Sequence, residues 1–450
     1  MYDLGIIGAG PAGYVAAERA GHNGLNTVLF EARELGGVCL NEGCMPTKTL
    51  LNSAKIADHA RESGKFGVNA GAISVDFAKV MERKEKVVKT LVSGIASKMK
   101  KNKVTVVRGH AEISGKAQDH FIVLSGKENY QCKNLLIATG AEAAVPPIKG
   151  LQREKILTNR EILCLKTPPK TLAIVGGGVI GLEFASFFNS IGSKVVIIEM
   201  MNEILPGIDR EIAAMLRKEY EKKGIEFHLD AKVNEIKNKT LVVAKGGDTL
   251  EITGDEILIS TGRKPNIAGF GLEKLGVTVE RGGVVIDRKC RTNVPNVYAA
   301  GDITGFSLLA HTASREGEVA VNTILGKNDT MRYSAIPGVV YTNPEVACVG
   351  LTEEEAKKNN IPYRTGKLPM TYAGRYIAEN EGGQSICKVL LGTKYNEILG
   401  VHMMGSHCSE MIFGACQMIE TQMRKQDVEE LVFPHPTVSE IIRETLFSIK

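Results

Sequence analysis

The chain has 450 residues, 43% of them hydrophobic and 24% charged, with a formal net charge of +5. This is an ordinary composition for a soluble protein, and the length suits about three domains of ~150 residues each. The mild charge indicates no nucleic-acid surface, and no apolar run reaches the ~18 residues of a membrane span. The first glycine motif begins at Gly8, which leaves no room for a signal peptide, so we expect a cytoplasmic protein with no nucleic-acid and no membrane partner.

A strand, a glycine-rich turn and a helix open the chain. Residues 3–8 read DLGIIG and lead into Gly8, Gly10 and Gly13, and the next strand ends at Glu31. In this G-x-G-x-x-G pattern the first glycine permits the turn, the second lets a pyrophosphate approach, and the third lets helix pack on strand. Free N–H groups at the helix start then bind the phosphates. The pattern predicts a dinucleotide-binding unit.

Two cysteines, Cys39 and Cys44, follow in the stretch GGVCLNEGCMPTK. Cys-x4-Cys is not the spacing of a structural zinc site, and we expect no bound metal. Pro46 suits the first turn of a helix, which would place Cys44 at or just before a positively polarised N-terminus that stabilises a thiolate. Two buried thiols or a structural disulfide are the alternatives. A cytosolic disulfide is more often catalytic, which favours a redox-active pair.

The pattern of a strand, a glycine-rich turn and a helix recurs from residue 171. TLAIVG leads into Gly176, Gly178 and Gly181, and the following strand ends at Glu199. The acid follows its first glycine by the same distance in both copies, since 31 − 8 and 199 − 176 are both 23. Such an acid binds an adenosine ribose 2′-OH and repels a 2′-phosphate. No arginine follows before Arg210, so the second unit is expected to prefer NAD over NADP.

Three further strands are predicted to end beside a cofactor. LLIATG ends at Thr139 and Gly140, ILISTG ends at Gly262, and NVYAAGD ends at Asp302. The Asp302 carboxylate could accept hydrogen bonds from a polyol. Alternatively, Asp302 caps the helix predicted over residues 308–325.

From about residue 336 the pattern predicts an α+β module, with residues 401–423 as core or subunit interface. His435 lies between two prolines in a stiff loop. Thiol–disulfide exchange needs a base near neutral pH, and imidazole suits that role. Glu440 either orients this histidine or forms a Thr-x-x-Glu capping box with Thr437, and the pattern alone does not choose between them.

Eight motifs resemble those of the flavin disulfide reductases over essentially the full chain: GAGPAG, GGVCLNEGCMPTK, IATG, GGGVIGLE, TGRKPN, AAGD, LAHTASREG and HPTVSE. Within that family they are most similar to members that oxidise dihydrolipoamide. The resemblance implies an α/β fold with two Rossmann-like domains. An FAD-binding domain with the redox-active disulfide would cover 1–145, an NAD-binding domain 146–265, a central segment completing the FAD site 266–335, and an α+β dimerisation domain 336–450.

The resemblance also implies residue roles. Cys39 would exchange with dihydrolipoamide, and Cys44 would contact the flavin. Lys48 and Glu183 would pair where hydride moves. His435, oriented by Glu440, would be a base contributed by the other subunit of a homodimer. FAD would contact Gly8, Gly10, Gly13, Glu31, Lys48, Thr139, Gly140, Asp302, Ala310 and His311, and NAD would contact Gly176, Gly178, Gly181, Glu199 and Gly262.

The implied activity is NAD-dependent oxidation of dihydrolipoamide carried by the lipoyl domain of an acyltransferase or by the glycine cleavage H protein. One alternative is an NAD(P)H-dependent reductase of another low-molecular-weight disulfide. Another is a flavoprotein redox sensor. A sensor has no need of the complete set of Cys39, Cys44, Lys48, Glu183, His435 and Glu440, which favours the enzyme.

Overall fold

A computed structural model describes residues 1–450. Its strands are β1 Tyr2–Ile7, β2 Thr27–Glu31, β3 Thr105–Arg108, β4 Ala111–Ala117, β5 His120–Ser125, β6 Glu128–Ile137, β7 Ala141–Ala143, β8 Thr171–Val175, β9 Lys194–Ile198, β10 Glu226–His228, β11 Ala231–Lys237, β12 Thr240–Lys245, β13 Asp248–Thr253, β14 Glu256–Ile259, β15 Arg263–Pro265, β16 Val279–Glu280, β17 Gly283–Val284, β18 Val297–Ala299, β19 Gly338–Val340, β20 Glu345–Gly350, β21 Tyr363–Leu368, β22 Ile386–Gly392 and β23 Ile398–Gly405.

Its helices are α1 Pro11–His22, α2 Gly37–Asn41, α3 Cys44–Glu62, α4 Phe77–Lys101, α5 Asn159–Ile162, α6 Val179–Ser190, α7 Arg210–Lys222, α8 Ala310–Ile324, α9 Glu353–Lys358, α10 Gly374–Glu379, α11 Cys408–Glu420, α12 Lys425–Glu429 and α13 Glu440–Phe447. None of them combines the length and the apolar character that a membrane crossing requires. The α/β fold class expected from the sequence is confirmed.

The chain forms two compact units. The first unit comprises Met1–Thr49, Met81–Ala144 and Gly262–Arg332, and the second comprises Leu50–Val80, Val145–Thr261 and Tyr333–Lys450. Strand β15, at the end of the range predicted for NAD binding, pairs with β7 of the first unit. The four domain ranges given above therefore stay predictions.

In the first unit, a sheet of order β3-β2-β1-β6-β5-β4 carries β18 beside β6. Strands β3, β2, β1, β6 and β18 run parallel, and the apolar residues of β2, β18 and the carboxyl ends of β1 and β6 are buried on both faces, as central parallel strands require. Ile7 is level with Phe30 and Ile137, and Ile137 is level with Ala299. The carboxyl ends of these strands therefore share one edge, where ligands bind in open α/β sheets.

Helices α1 and α8 of the first unit pack closely through small residues. A Cβ placed on the buried Gly317 of α8 would collide with the carbonyl oxygen of Ala12 in α1. Asn322 of α8 also accepts a hydrogen bond from Arg19 at 2.8 Å. Small residues at this crossing let the two backbones approach.

The second unit holds a parallel sheet of order β10-β9-β8-β14, an antiparallel sheet of order β11-β12-β13, and a five-stranded antiparallel sheet of order β19-β20-β23-β22-β21. Val175 is level with Ile198 and Ile259, so the glycine motif again lies at the carboxyl edge of parallel strands. Strand β23 and helix α11 contribute Val401, Met403 and Ile412 to the core, which confirms the core prediction for this stretch.

Gly317→Ala should destabilise the protein by about 1–3 kcal/mol, because the added methyl group pushes α8 from α1. Alanine would otherwise favour the helix by about 1 kcal/mol, so a net loss reports the clash. Gly94→Ala is the control, since its Cβ in α4 would meet nothing within 4 Å and should stabilise by about 0.5–1 kcal/mol. Urea unfolding checks both, and equal stabilisation of the two variants would contradict the close packing.

Candidate active site

The two glycine turns have the same backbone geometry. Gly8 has φ +103° and Gly176 has φ +109°, values that favour glycine. A Cβ on Gly13 would collide with the carbonyl oxygen of Gly8, and one on Gly181 with that of Gly176. The first and third glycines are thus required by the protein's own packing.

The middle glycines are different. A Cβ on Gly178 would meet no protein atom within 4 Å, and one on Gly10 would meet only the Cα of Gly37, at 4.0 Å. Each is itself the N-cap of a twelve-residue helix, so no N-cap side chain covers the first N–H groups. Glycine here leaves space at free N–H groups, which fits a bound pyrophosphate.

The acid that follows each turn has the same two backbone contacts. Glu31 accepts the N–H of Ala9 at 2.8 Å and that of the residue two positions after itself at 2.8 Å. Glu199 accepts the N–H of Gly177 at 2.6 Å and that of the residue two positions after itself at 2.8 Å. Each carboxylate is therefore fixed beside its turn. Its unused lone pairs suit a ribose hydroxyl, and this role stays a prediction.

Asp302 lies in a short 3-10 turn after β18, and Arg263 Nε is 3.4 Å from its carboxylate. Burial raises the pKa of the Asp302 carboxyl, and the guanidinium of Arg263 partly offsets this. The alternative that Asp302 caps the following helix is wrong, because the N-cap of α8 is Leu309. Ala310 and His311 form the start of that helix.

Sequence reasoning missed two charged residues around this turn. Arg263 contacts Asp302 and also donates to the carbonyl of Ala141. Glu316 is fully buried in α8 and accepts the N–H of Gly301 at 2.6 Å. Arg263 could have been found from its place in TGRKPN, directly after a predicted strand. Glu316 could have been found as an acid on the otherwise apolar face of a predicted helix.

Thr139 and Asn266 form a reciprocal pair. The Thr139 hydroxyl donates to the carbonyl of Asn266 at 2.8 Å, and the Asn266 amide donates to the carbonyl of Thr139 at 3.0 Å. Gly140 and Gly262 flank this contact with φ +68° and +115°. Gly262, predicted for NAD, belongs to the first unit.

The predicted redox pair is brought together in the first unit. Cys39 lies in the short helix α2, Cys44 is the first residue of α3, and their side chains are hydrogen-bonded as thiols. The positive charge of Lys48 and the carboxylate of Asp302 both act on Cys39. Four of the predicted catalytic and flavin-site residues therefore lie close together.

The two sulphurs are not equivalent. The hydrogen bond with Cys44 raises the pKa of the Cys39 thiol, burial raises it further, and the charge of Lys48 partly offsets both. Cys44 instead lies at the positive end of a nineteen-residue helix, where a thiolate is stabilised. The geometry favours a dithiol that carries its first negative charge on Cys44.

His435 and Glu440 meet in the second unit. His435 Nδ1 lies 2.9 Å from one oxygen of Glu440, and the other oxygen accepts the N–H of Thr437 at 2.9 Å. The capping-box alternative is wrong, because α13 begins at Glu440 with Ser439 as its N-cap, and the Thr437 hydroxyl donates to the carbonyl of Pro434. These two hydrogen bonds, that from the Thr437 backbone first, lower the pKa of Glu440. Glu440 therefore joins the histidine to the Thr437 backbone just before α13.

The two members of the predicted hydride-transfer pair belong to different units. Lys48 lies in α3 one turn beyond Cys44 and belongs to the first unit. Glu183 is buried in α6 of the second unit, where it accepts the N–H of Tyr341 at 3.1 Å.

Comparison with known proteins gives a consistent family. A family model described as pyridine nucleotide-disulphide oxidoreductase matches residues 2–317, and the dimerisation domain of that family matches residues 336–446. The chain is 40% identical over 452 residues to dihydrolipoyl dehydrogenase of Thermus scotoductus, covering 98% of this chain and 96% of that one. It is 36% identical over 449 residues to dihydrolipoyl dehydrogenase of Bacillus subtilis, covering 99% and 98%.

Solved structures share the whole architecture. LpdA from Mycobacterium tuberculosis superposes with a TM-score of 0.90 at 25% identity, covering 99% of this chain and 98% of that one. RclA from Escherichia coli, described as an HOCl-induced flavoprotein disulfide reductase, gives a TM-score of 0.87 at 27% identity, with complete coverage of both chains.

In the reduced protein, Cys44 should titrate at a lower pH than Cys39, because the helix start stabilises its thiolate while the hydrogen bond and burial hold the proton on Cys39. Iodoacetamide labelling across a pH series, mapped by peptide mass spectrometry, gives a midpoint for each cysteine. The exposed Cys164 reports reagent reactivity at each pH. A lower midpoint for Cys39 would contradict the assignment.

Proposed function

The chain belongs to the pyridine nucleotide-disulphide oxidoreductases, and we propose that it oxidises protein-bound dihydrolipoamide to lipoamide while reducing NAD⁺ to NADH. It is an oxidoreductase that uses FAD and NAD. The observation that carries the proposal is the cysteine pair, with Cys44 at a helix start and Cys39 hydrogen-bonded to it. We also propose that the protein acts in the cytoplasm, since that compartment keeps thiols reduced.

The first glycine turn would hold the FAD pyrophosphate, Glu31 the adenosine ribose, and Asp302 the polyol side of the flavin. The second turn and Glu199 would hold NAD. Bound FAD supplies two-electron transfer between the cysteine pair and the nicotinamide. Everything else in the first half-reaction is thiol chemistry on the protein's own residues.

In that half-reaction a thiolate of dihydrolipoamide attacks the Sγ of Cys39 in the oxidised pair. A bond forms between the substrate sulphur and Cys39, the Cys39–Cys44 bond breaks, and Cys44 leaves as a thiolate. A more acidic leaving thiol departs faster, so the helix start at Cys44 directs attack to Cys39. The second substrate thiol then attacks its own mixed disulfide, releasing lipoamide and the reduced Cys39.

His435 accepts the proton of the attacking thiol, and the proton of the second substrate thiol passes to Cys39 as that sulphur is released. Glu440 holds Nδ1 of the ring at 2.9 Å, which leaves Nε2 directed to the substrate. The carboxylate also stabilises the imidazolium that forms. The Thr437 N–H in turn fixes the Glu440 carboxylate, so the imidazole of His435 keeps one orientation.

We infer that His435 serves the cysteine pair of a second copy of the chain. The chain carries the family's dimerisation domain over residues 336–446. In the single chain the His435 side chain is 77% exposed, and nearby Val432 is 96% exposed. Phe413 and Tyr372 are also exposed apolar residues of this domain, as a subunit interface requires.

Glu199 supports NAD as the nucleotide. Its carboxylate is fixed by two N–H groups, and a 2′-phosphate would bring a second negative charge to the same place. The residues that follow, Met200 and Met201, are exposed and offer no cation to offset it. The substrate we infer is lipoamide on a lipoyl domain or on the glycine cleavage H protein.

A second candidate is reduction of a different disulfide at the expense of NADH. The likeness to RclA, described as a flavoprotein disulfide reductase, favours it. The same cysteine pair would then pass electrons from NADH to the disulfide substrate, in the opposite direction to the first candidate. Thiol exchange at Cys39 and the role of His435 are common to both candidates.

Steady-state assays test the proposal. The FAD-loaded enzyme should form NADH from dihydrolipoamide and NAD⁺, whereas Cys39→Ser and Cys44→Ser should each abolish the activity. His435→Gln should lower it by roughly 10²–10⁴-fold, because the proton acceptor is lost. Cys164→Ser is the matched control and should keep wild-type activity. No turnover of dihydrolipoamide, together with rapid NADH-dependent reduction of another disulfide, would favour the second candidate.

Subunit mixing tests the shared site. Cys39→Ser and His435→Gln homodimers should each be nearly inactive, while exchanged heterodimers should regain up to half of the wild-type activity, since one of the two sites is intact. Native mass spectrometry confirms that subunits have exchanged. Exchange without any recovery would show that His435 acts within its own chain.

A further inference from the structure

Lys388 of β22 is a buried cation among three carboxylates. Its exposed fraction is 1%, and its Nζ lies 2.6 Å from Asp209, 2.5 Å from Glu353 and 3.2 Å from Glu211. Removing an ammonium group from water is costly unless it is paired and hydrogen-bonded. Nothing in the half-reaction described above uses this group.

Lys388 projects from the face of β22 opposite to α13. Its neighbours Cys387 and Val389 belong to the core cluster that contains Ile441 and Leu446 of α13. Successive side chains of a strand point to opposite faces. One face of β22 therefore supports the helix that carries Glu440, and the other binds the start of α7.

Asp209 connects Lys388 to α7. It is fully buried, and its Oδ1 accepts the N–H groups of Glu211 at 3.1 Å and Ile212 at 3.4 Å as the N-cap of that helix. Its Oδ2 faces Lys388. The same carboxylate thus fixes the first turn of α7 and ties it to β22.

The segment just before Asp209 lies against the second glycine turn. Leu205 donates its N–H to the carbonyl of Gly177 at 3.0 Å, and a Cβ on Gly177 would lie 3.1 Å from Ile204. Glu203 pairs with Arg217 of α7 at 2.8 Å. A continuous set of contacts therefore runs from Lys388 through α7 and this segment to the turn beside Glu199.

Burial lowers the pKa of Lys388, but the hydrogen bonds to Asp209 and Glu353 outweigh it, so the net pKa is raised. The same contact with Lys388 contributes to the lowered pKa of Glu353, against the opposing effect of its burial. The ammonium group stays charged at neutral pH. It is therefore suited to fixing a structure and not to transferring a proton.

We propose that Lys388 is a positioning residue for the dinucleotide site of the second unit, acting through Asp209 and residues 203–209 on the Gly176–Gly181 turn. This inference rests on the proposed function, because it takes NAD as the ligand of that turn. Loss of the lysine lets the start of α7 shift, and the turn with its N–H groups and Glu199 loses its fixed geometry.

Lys388→Met in the FAD-loaded enzyme is the test variant. The Kd for NADH, measured by NADH fluorescence on enzyme whose flavin and cysteine pair have first been reduced with dithionite, should rise roughly 3- to 30-fold, the range seen for residues that couple to a site without touching its ligand. The rate at which dihydrolipoamide reduces the enzyme without NAD⁺ should stay within twofold, because Lys388 faces away from α13.

Lys367→Met is the matched control. Lys367 pairs with Glu211 at 2.7 Å and approaches Glu353 at 3.7 Å, but its side chain is 41% exposed and no contact joins it to Asp209. Removing this cation from the same carboxylates should leave the Kd for NADH unchanged. An equal rise in both variants would overturn the proposal, because it would show a general charge effect.

Two further variants separate positioning from loss of stability. Lys388→Met with Asp209→Asn removes the unpaired buried carboxylate and keeps an N-cap residue, so it should recover stability and retain the raised Kd. Lys388→Arg keeps the cation and should restore the Kd. NADH affinity at the wild-type value in the double variant would refute the positioning role. Failure of the wild-type enzyme to bind NADH would instead contradict the proposed function.

Discussion

The hydrogen bond between Cys39 and Cys44, at the first residue of α3, is the contact on which the chemistry of the chain depends. It requires a short helix, α2, to end just before a long one begins. The glycines around the pair allow that geometry, as at Gly37, where a Cβ would lie 2.6 Å from the Cα of Gly10. The dithiol is therefore packed directly against the first dinucleotide turn. It also makes the two sulphurs unequal before any substrate arrives.

The two dinucleotide turns meet the same physical requirement in the same way. Each strand must end where phosphate can meet free N–H groups, and each turn must be held without a side chain at its centre. The strand-end acids, Glu31 and Glu199, do this by accepting one N–H from the turn itself. A carboxylate held this way stays available to a ribose. In the second unit, the turn has a further support that begins at a buried ion pair in the five-stranded sheet.

Much of the site could be predicted because it rests on local patterns. The glycine turns follow from spacing, and Pro46 indicated the helix start at Cys44. The role of Glu440 could not be resolved from sequence, because the Thr-x-x-Glu spacing also fits a capping box, whereas α13 begins only at Glu440 itself. Asp302 was open between two roles because the sequence does not show that the next helix begins only at Ala310, eight residues later. Lys388 looked like an ordinary strand residue, and its partner Asp209 lies 179 positions away.

The most direct test of the account is an anaerobic reaction run in two steps. Dihydrolipoamide is first mixed with the FAD-loaded enzyme in the absence of NAD⁺, and NAD⁺ is added after the first product has been removed. The first step should convert one equivalent of dihydrolipoamide to lipoamide and reduce the Cys39–Cys44 pair, and the second should yield one equivalent of NADH. Lipoamide formation only when both substrates are present together would contradict it.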